Sequence, residues 1–68
     1  MENRLKELRE AHNLTQEDLA AKVGVSRQTI ISLEKGKYSP SLILAYKLSG
    51  IFGLSIEELF LLKEMEEK

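Results

Sequence analysis

A glycine-containing turn between two short, capped segments constrains this chain more than any other feature. Thr15 and Asp18 form a capping-box pattern, in which each side chain accepts a hydrogen bond from the other residue's backbone N–H. Gly24 stands where the end of that helix favours a left-handed backbone conformation. Ser26 can cap a second helix, and Gly36 can close it. The pattern predicts two helices joined by a turn of three residues, which is a helix-turn-helix arrangement.

The predicted arrangement covers residues 16–35, with helices over about 16–23 and 27–35. Val25 in the turn and Ile30 and Leu33 in the second helix are expected to bury against the first helix and to fix the angle between the two.

Two further helices are predicted near the ends of the chain. Leu5, Leu8 and Ala11 form an apolar stripe at helical spacing, which His12-Asn13 then interrupts. Ser55 and Glu58 form a second capping box, ahead of a helix that Leu59 would anchor inward.

The remaining helix, fourth in chain order, is predicted between the helix-turn-helix and the last helix. Ser39 would be its cap and Pro40 its first residue, where the missing N–H costs nothing. It would end at Gly53, with an inward face made of Leu42, Ala45, Leu48 and Phe52. No segment alternates with strand period, so we expect an all-α, compact five-helix fold.

The length and composition exclude several classes of protein. Sixty-eight residues allow one domain, which we assign to 1–68. No cysteine is present, and His12 has no second histidine beside it, so neither a metal nor another cofactor is expected. No nucleophile–base arrangement or phosphate-cradling glycine loop indicates an enzyme, and no small-molecule ligand is indicated. Without a long apolar run or a signal segment, a cytoplasmic protein with no membrane partner is expected.

Charge is distributed unevenly along the chain. Residues 22–47 carry five basic side chains against Glu34 alone, a local charge of +4, whereas residues 57–68 carry a local charge of −3 and end in an acidic tail over 63–68. The net charge of −1 therefore conceals a basic middle segment that would orient the molecule toward an anion.

The start of the second helix of the pair carries side chains suited to reading DNA bases. Gln28 can present its amide to adenine, and Arg27 can reach guanine or a phosphate. Thr29 offers a hydroxyl and a methyl group, and Ser32 follows one turn later. The alternative to base reading is that these residues are simply the polar start of a helix, since such residues are common at helix caps.

Side chains on either side of this helix could bind phosphates. Thr15, Gln16 and Ser26 lie beside helix N-termini, whose backbone N–H groups favour anions. Lys35, Lys37 and Tyr38 follow the helix, where they could contact a second phosphate strand.

The stretch LTQEDLAAKVGVSRQTIISLEKGKYSPSLILAYKLSGIFGLSIEELF resembles the helix-turn-helix domain of the Cro and phage-repressor class, the XRE family, and the match covers residues 4–60. The resemblance implies a five-helix lambda-repressor-like domain that binds double-stranded operator DNA in a sequence-specific way, usually as a homodimer. It also implies that Gln16 contacts phosphate, that Arg27, Gln28, Thr29 and Ser32 read bases, and that Arg9 and Glu34 pair to tie the first helix to the third.

A symmetric dimer built largely from the fifth helix is expected. Apolar residues there exceed what one narrow stripe needs, and the resemblance adds the loop before the fourth helix. The predicted interface comprises Ser39, Pro40, Ile56, Leu59 and Phe60. As one alternative, Phe60 completes the core of the monomer. As another, Ile43 and Tyr46 on the fourth helix form a rival dimer interface, which ranks second.

The function expected is that of a transcriptional repressor acting on a palindromic operator as a homodimer. Two alternatives stay open. In one, the chain is an antitoxin or co-regulator module that acts mainly through a protein partner. In the other, it is a fragment of a larger regulator, against which the charged end without a linker argues.

Overall fold

Five α-helices make up the part of the chain that the computed structural model describes, residues 2–37 and 39–61. The helices are α1 (Leu5–Ala11), α2 (Gln16–Val23), α3 (Arg27–Glu34), α4 (Leu42–Phe52) and α5 (Ile56–Phe60). No strand occurs in these ranges. The all-α, five-helix prediction is confirmed, whereas the predicted acidic tail over 63–68 lies outside the described residues.

The helix starts are fixed locally, and most lie where the sequence predicts them. Thr15 Oγ1 accepts from the Asp18 N–H at 2.9 Å, while the Thr15 N–H donates to Asp18 Oδ2 at 3.0 Å. Ser55 and Glu58 form the same reciprocal pair at 3.1 and 2.9 Å. Ser26 Oγ caps α3 by accepting from the Thr29 N–H at 3.2 Å.

The core collects apolar side chains from all five helices. α2 packs against α3 and α4, α1 packs against α3, and α4 packs against α5. The largest fully buried side chains are Leu5, Leu19, Ile30, Leu33, Leu48 and Leu59. Of the predicted core residues between α2 and α3, Ile30 and Leu33 are fully buried and Val25 packs against the core half-buried.

The inward face of α1 differs from the predicted stripe. Leu5 is buried and Leu8 packs against the core, but Ala11 is exposed. Arg9 is buried in its place. Leu5 and Arg9 are four residues apart and so share a face, which leaves Ala11 turned toward solvent.

The start of α4 corrects two predictions. Ser41, not Ser39, is the cap: its Oγ accepts from the Leu44 N–H at 3.1 Å, so Pro40 precedes the helix. Leu42, predicted to face inward, is 77% exposed, and Leu44 is buried beside Ala45, Leu48 and Phe52. Leu44 lies one residue before Ala45 and four before Leu48, so it belongs to the same helical face, which Leu42 does not.

The apolar residues of α5 belong mostly to the monomer core. Leu59 is fully buried and Phe60 is 2% exposed, while Ile56 packs against the core half-buried. The Arg4 N–H donates to the Leu59 carbonyl at 2.9 Å and so ties α5 to the start of α1. The prediction that Leu59 and Phe60 present a dimer surface is therefore corrected, because their side chains fill the core of their own chain.

Candidate nucleic-acid interface

The turn between α2 and α3 sets the orientation of α3. Gly24 adopts the left-handed conformation at φ +73°, which side chains disfavour. The Gly24 and Val25 N–H groups both donate to the Ala20 carbonyl and so close the end of α2. Burial of Ile30 and Leu33 against the core then fixes which face of α3 points outward.

The start of α3 presents two polar side chains that are exposed to solvent. Arg27 and Gln28 are both exposed, and α3 has no acidic residue in its first turn. Thr29 and Ser32 are half-buried, and the Thr29 hydroxyl lies 3.0 Å from Ser26 Oγ. Of the four residues predicted to read bases, Arg27 and Gln28 are therefore the most accessible, while the hydroxyl of Thr29 has a partner within the helix cap.

The start of α2 differs electrostatically from the start of α3. Glu17 and Asp18 lie in its first turn, and Thr15 is engaged with Asp18 in the capping box. The hydrogen bond from the Thr15 backbone N–H is the main cause, and the one from the Thr15 hydroxyl the second, that holds the pKa of the Asp18 carboxyl below its ordinary value. These carboxylates offset the positive end of the helix dipole, so α3 offers an anion the more favourable of the two helix starts.

Glu34 links three helices through one carboxylate. Arg9 Nε donates to Glu34 Oε2 at 2.6 Å, which is the ion pair predicted between α1 and α3. The two side chains are only 11% and 5% exposed. Arg9 Nη1 also donates to the Leu14 carbonyl at 2.8 Å, so the guanidinium holds the loop that leads into α2 as well.

Gln16 joins this network, which the sequence did not predict. Its Nε2 donates to Glu34 Oε1 at 3.1 Å, and its side chain is half-buried. The amide predicted to bind phosphate is thus held in place by the carboxylate that Arg9 anchors. Positions 16 and 34 are 18 residues apart, so no local pattern could have indicated the contact.

Asn3 is a second positioning residue that sequence reasoning missed. Its Oδ1 accepts from the Leu5 N–H at 2.9 Å, and its Nδ2 donates to the Leu33 carbonyl at 2.8 Å. It therefore accepts from the first backbone N–H of α1 and holds the end of α3 at the same time. Asparagine side chains often accept from a backbone N–H two residues ahead, which is the one signal available in the sequence.

The basic residues after α3 are exposed where the sequence places them. Lys35 and Lys37 are both exposed, and the Lys37 N–H donates to the Ser32 carbonyl at 3.1 Å across the turn at Gly36. Tyr38, the third residue predicted there, lies outside the described residues.

Residues 2–37 and 39–61 contain neither a cluster of metal-ligating side chains nor a membrane-spanning helix. No three histidine or carboxylate side chains come together there in a way that could hold a metal ion. No helix in this part of the chain has the length and apolar character needed to cross a membrane. His12 is exposed, with Nδ1 2.9 Å from the Leu8 carbonyl and its ring in edge contact with Phe52.

A model of the helix-turn-helix family matches residues 5–59. The chain belongs to this family. It is a helix-turn-helix DNA-binding transcriptional regulator of the XRE type, a class whose members act by binding DNA and not as enzymes.

Relatives from archaea and bacteria cover nearly the whole chain. An HTH-type transcriptional regulator of Methanocaldococcus jannaschii is 61% identical over 66 residues, which are 97% of this chain and 100% of the relative. The regulator YgzD of Bacillus subtilis is 47% identical over 64 residues, covering 94% and 97% of the two chains.

A phage repressor and a solved structure are also similar. The cryptic phage CTXphi transcriptional repressor RstR of Vibrio cholerae is 37% identical over 57 residues, which cover 84% of this chain and 51% of the repressor. The crystal structure of the restriction-modification controller protein C.AhdI of Aeromonas hydrophila matches with a TM-score of 0.73 at 38% identity, over 84% of this chain and 86% of that one.

Proposed function

We propose that this regulator is a repressor that binds a palindromic operator as a homodimer, with α3 of each copy in the major groove. The observation that carries the proposal is the start of α3, where Arg27 and Gln28 are exposed and acidic side chains are absent. The similarity to the transcriptional repressor RstR supports repression. A two-fold dimer presents two recognition helices to half-sites about one DNA turn, roughly 34 Å, apart.

The contacts divide into bases and phosphates. Gln28 and Arg27 read base edges, since an amide can bind adenine N6 and N7 and a guanidinium can bind guanine O6 and N7. Ser32 and the Thr29 methyl group contribute contacts at the margin of the same surface. Lys35 and Lys37 bind the phosphates beyond α3, together with Tyr38.

Phosphates on the other side are bound at the helix starts. Thr15 and Ser26 lie at the N-terminal ends of α2 and α3, and Gln16 follows Thr15. Because Glu34 orients the Gln16 amide, the remaining N–H of that amide is positioned in advance, which reduces the entropy lost on binding.

The test begins with selection of bound sequences from a random pool of duplex DNA, followed by titrations of Gln28→Ala and Lys37→Ala on the selected site. Gln28→Ala should cost about 1–3 kcal/mol and relax the preference at one base pair in each half-site. Lys37→Ala should weaken binding to all sequences alike and reduce the salt slope by about one unit.

Lys6→Ala is the matched control for charge, because Lys6 is also exposed but lies on α1. It should leave both sequence preference and salt slope close to those of the unaltered protein. If Gln28→Ala kept the full sequence preference, or if no sequence were enriched from the pool, this mode of docking would be wrong. Repression itself is measured by a reporter placed downstream of the selected site.

A further inference from the structure

The outer face of α4 is apolar and uncovered. Leu42, Ile43 and Tyr46 are 77%, 69% and 72% exposed, and they are the large apolar side chains most exposed to solvent among the described residues. All three lie within about 100° of the helix circumference, at the usual 100° per residue. Single exposed apolar residues are common, but a contiguous patch of this kind marks an interaction site.

Gly50 lies on the same face, and nothing in the described part of the chain requires a glycine at this position. It is exposed, its φ is not positive, and a Cβ built there would meet no atom within 4 Å. A glycine inside a helix weakens that helix relative to alanine. Its absence of a side chain is useful only if something outside the monomer approaches the backbone closely.

The spacing of these residues is self-complementary. Leu42 and Gly50 each lie four residues from Tyr46, about one helical turn or 6 Å on either side. In an antiparallel pair of α4 helices related by a two-fold axis at Tyr46, Leu42 of each copy therefore lies opposite Gly50 of the other. An isologous interface needs this reciprocity, in which residue i contacts j and j contacts i.

The charge of the face also fits a second copy. Lys47, at its edge, is the only charged residue of α4. A two-fold axis brings each charge near the axis close to its like, so a neutral centre suits self-pairing. By contrast, a surface for DNA would need several basic side chains.

We infer that the outer face of α4 is the surface on which two copies of this chain dock antiparallel, with Leu42 of one over Gly50 of the other. This rests on the homodimer of the proposed function and replaces the surface predicted on α5. Ser39 and Pro40, which precede α4, extend the contact.

The area available sets the strength of this dimer. The exposed parts of the three apolar side chains amount to on the order of 300 Å² per copy. Even with both copies counted, this is below the roughly 1,200–2,000 Å² of standard stable interfaces. The dimer should therefore dissociate in the micromolar range and be strengthened by a palindromic DNA site that binds both copies.

Sedimentation over the micromolar range tests the surface without DNA. Ile43→Glu should raise the dimer dissociation constant at least about 100-fold, because one charge from each copy enters the interface. Gly50→Leu should raise the dimer dissociation constant about tenfold or more, because the new side chain fills the space that Leu42 of the other copy would occupy. The controls are Ala11→Glu and Ala11→Leu on the exposed side of α1, which should leave dimerisation unchanged.

Cross-linking gives a second measurement that does not rely on disruption. The chain has no cysteine, so Tyr46→Cys introduces a single thiol, at the proposed axis. Under mild oxidation it should form a disulfide-linked dimer much faster than Ala11→Cys. Equal rates for the two variants would overturn the proposed axis.

Binding to a single DNA half-site separates this inference from the proposed function. Ile43→Glu should bind one half-site as the unaltered protein does and lose its advantage on the palindrome. If Ile43→Glu and Gly50→Leu dimerised normally, the α4 surface would be wrong while operator binding by α3 stood. An unaltered protein that stayed monomeric even on palindromic DNA would overturn both this inference and the homodimer of the proposed function.

Discussion

Removing one member of the Arg9–Glu34 pair should destabilise the fold far more than removing an ordinary surface charge. Both side chains are almost wholly buried, and their closest approach is 2.6 Å. Arg9→Ala leaves the Glu34 carboxylate buried with, among the described residues, only the Gln16 amide as a donor, and it also removes the Arg9 donor from the Leu14 carbonyl. An unpaired buried charge of this kind costs about 3–5 kcal/mol.

That cost is large for a domain of this size. At 0.05–0.15 kcal/mol per residue, 68 residues give a free energy of unfolding of roughly 3–10 kcal/mol. Either single substitution, Arg9→Ala or Glu34→Ala, should therefore remove a large part of the stability. The double variant removes both charges, so it should be more stable than the sum of the single effects implies, by about 2 kcal/mol.

Urea unfolding followed by circular dichroism measures all four members of this double-mutant cycle. The matched control is the exposed pair of Arg4 and Glu7, whose side chains are 37% and 64% exposed at 3.1 Å. Its cycle should give a coupling of under about 0.5 kcal/mol. A coupling equally small for Arg9 and Glu34, with small single effects, would refute the conclusion that burial makes this pair structural.

Two further predictions concern local structure. Hydrogen bonds from Thr15 and Ser55, mainly from their backbone N–H groups and secondly from their hydroxyls, lower the pKa values of Asp18 and Glu58. The stability that the two ionised carboxylates contribute is therefore complete above their ordinary pKa values, near pH 4, and is lost as the pH falls through their lowered pKa values. Thermal unfolding from pH 5 to 2 should show a shallower acid slope for Asp18→Asn and Glu58→Gln; an unchanged slope would contradict it. Gly24→Ala should destabilise the fold by about 1 kcal/mol because φ at Gly24 is +73°, whereas Gly50→Ala should stabilise the monomer by up to about 1 kcal/mol. Urea unfolding of the dilute protein measures both effects, and changes of the same sign would contradict the prediction.

Much of the helix-turn-helix could be predicted because its determinants are local. The caps at Thr15 and Ser26 depend on contacts over three residues, and the end of α2 depends on Gly24 and Val25, which follow it directly. The start of α4 shows the limit of this reasoning. Ser39 and Ser41 are both able to cap a helix near Pro40, and the local sequence does not distinguish them; in the structure Ser41 is the cap, through the Leu44 N–H.

The residues expected to meet DNA could be placed on α3 from the sequence, but their freedom could not. Apolar spacing assigned Ile30 and Leu33 to the core and left Arg27 and Gln28 outside, as the structure shows. That the hydroxyl of Thr29 returns to the cap follows from side-chain geometry, which the pattern does not contain.

By itself the sequence determined where α2, α3 and α5 begin and which residues start α3, because these depend on neighbours three or four residues away. Only the tertiary structure decided that Phe60 is buried in its own chain, that Leu42 faces outward, and that Gln16 and Arg9 meet at Glu34. An apolar pattern states which side chains gain from leaving water, but it does not state which helix covers them. That choice depends on how five short helices share one small core, and it involves pairs such as Arg9 and Glu34 that are 25 residues apart.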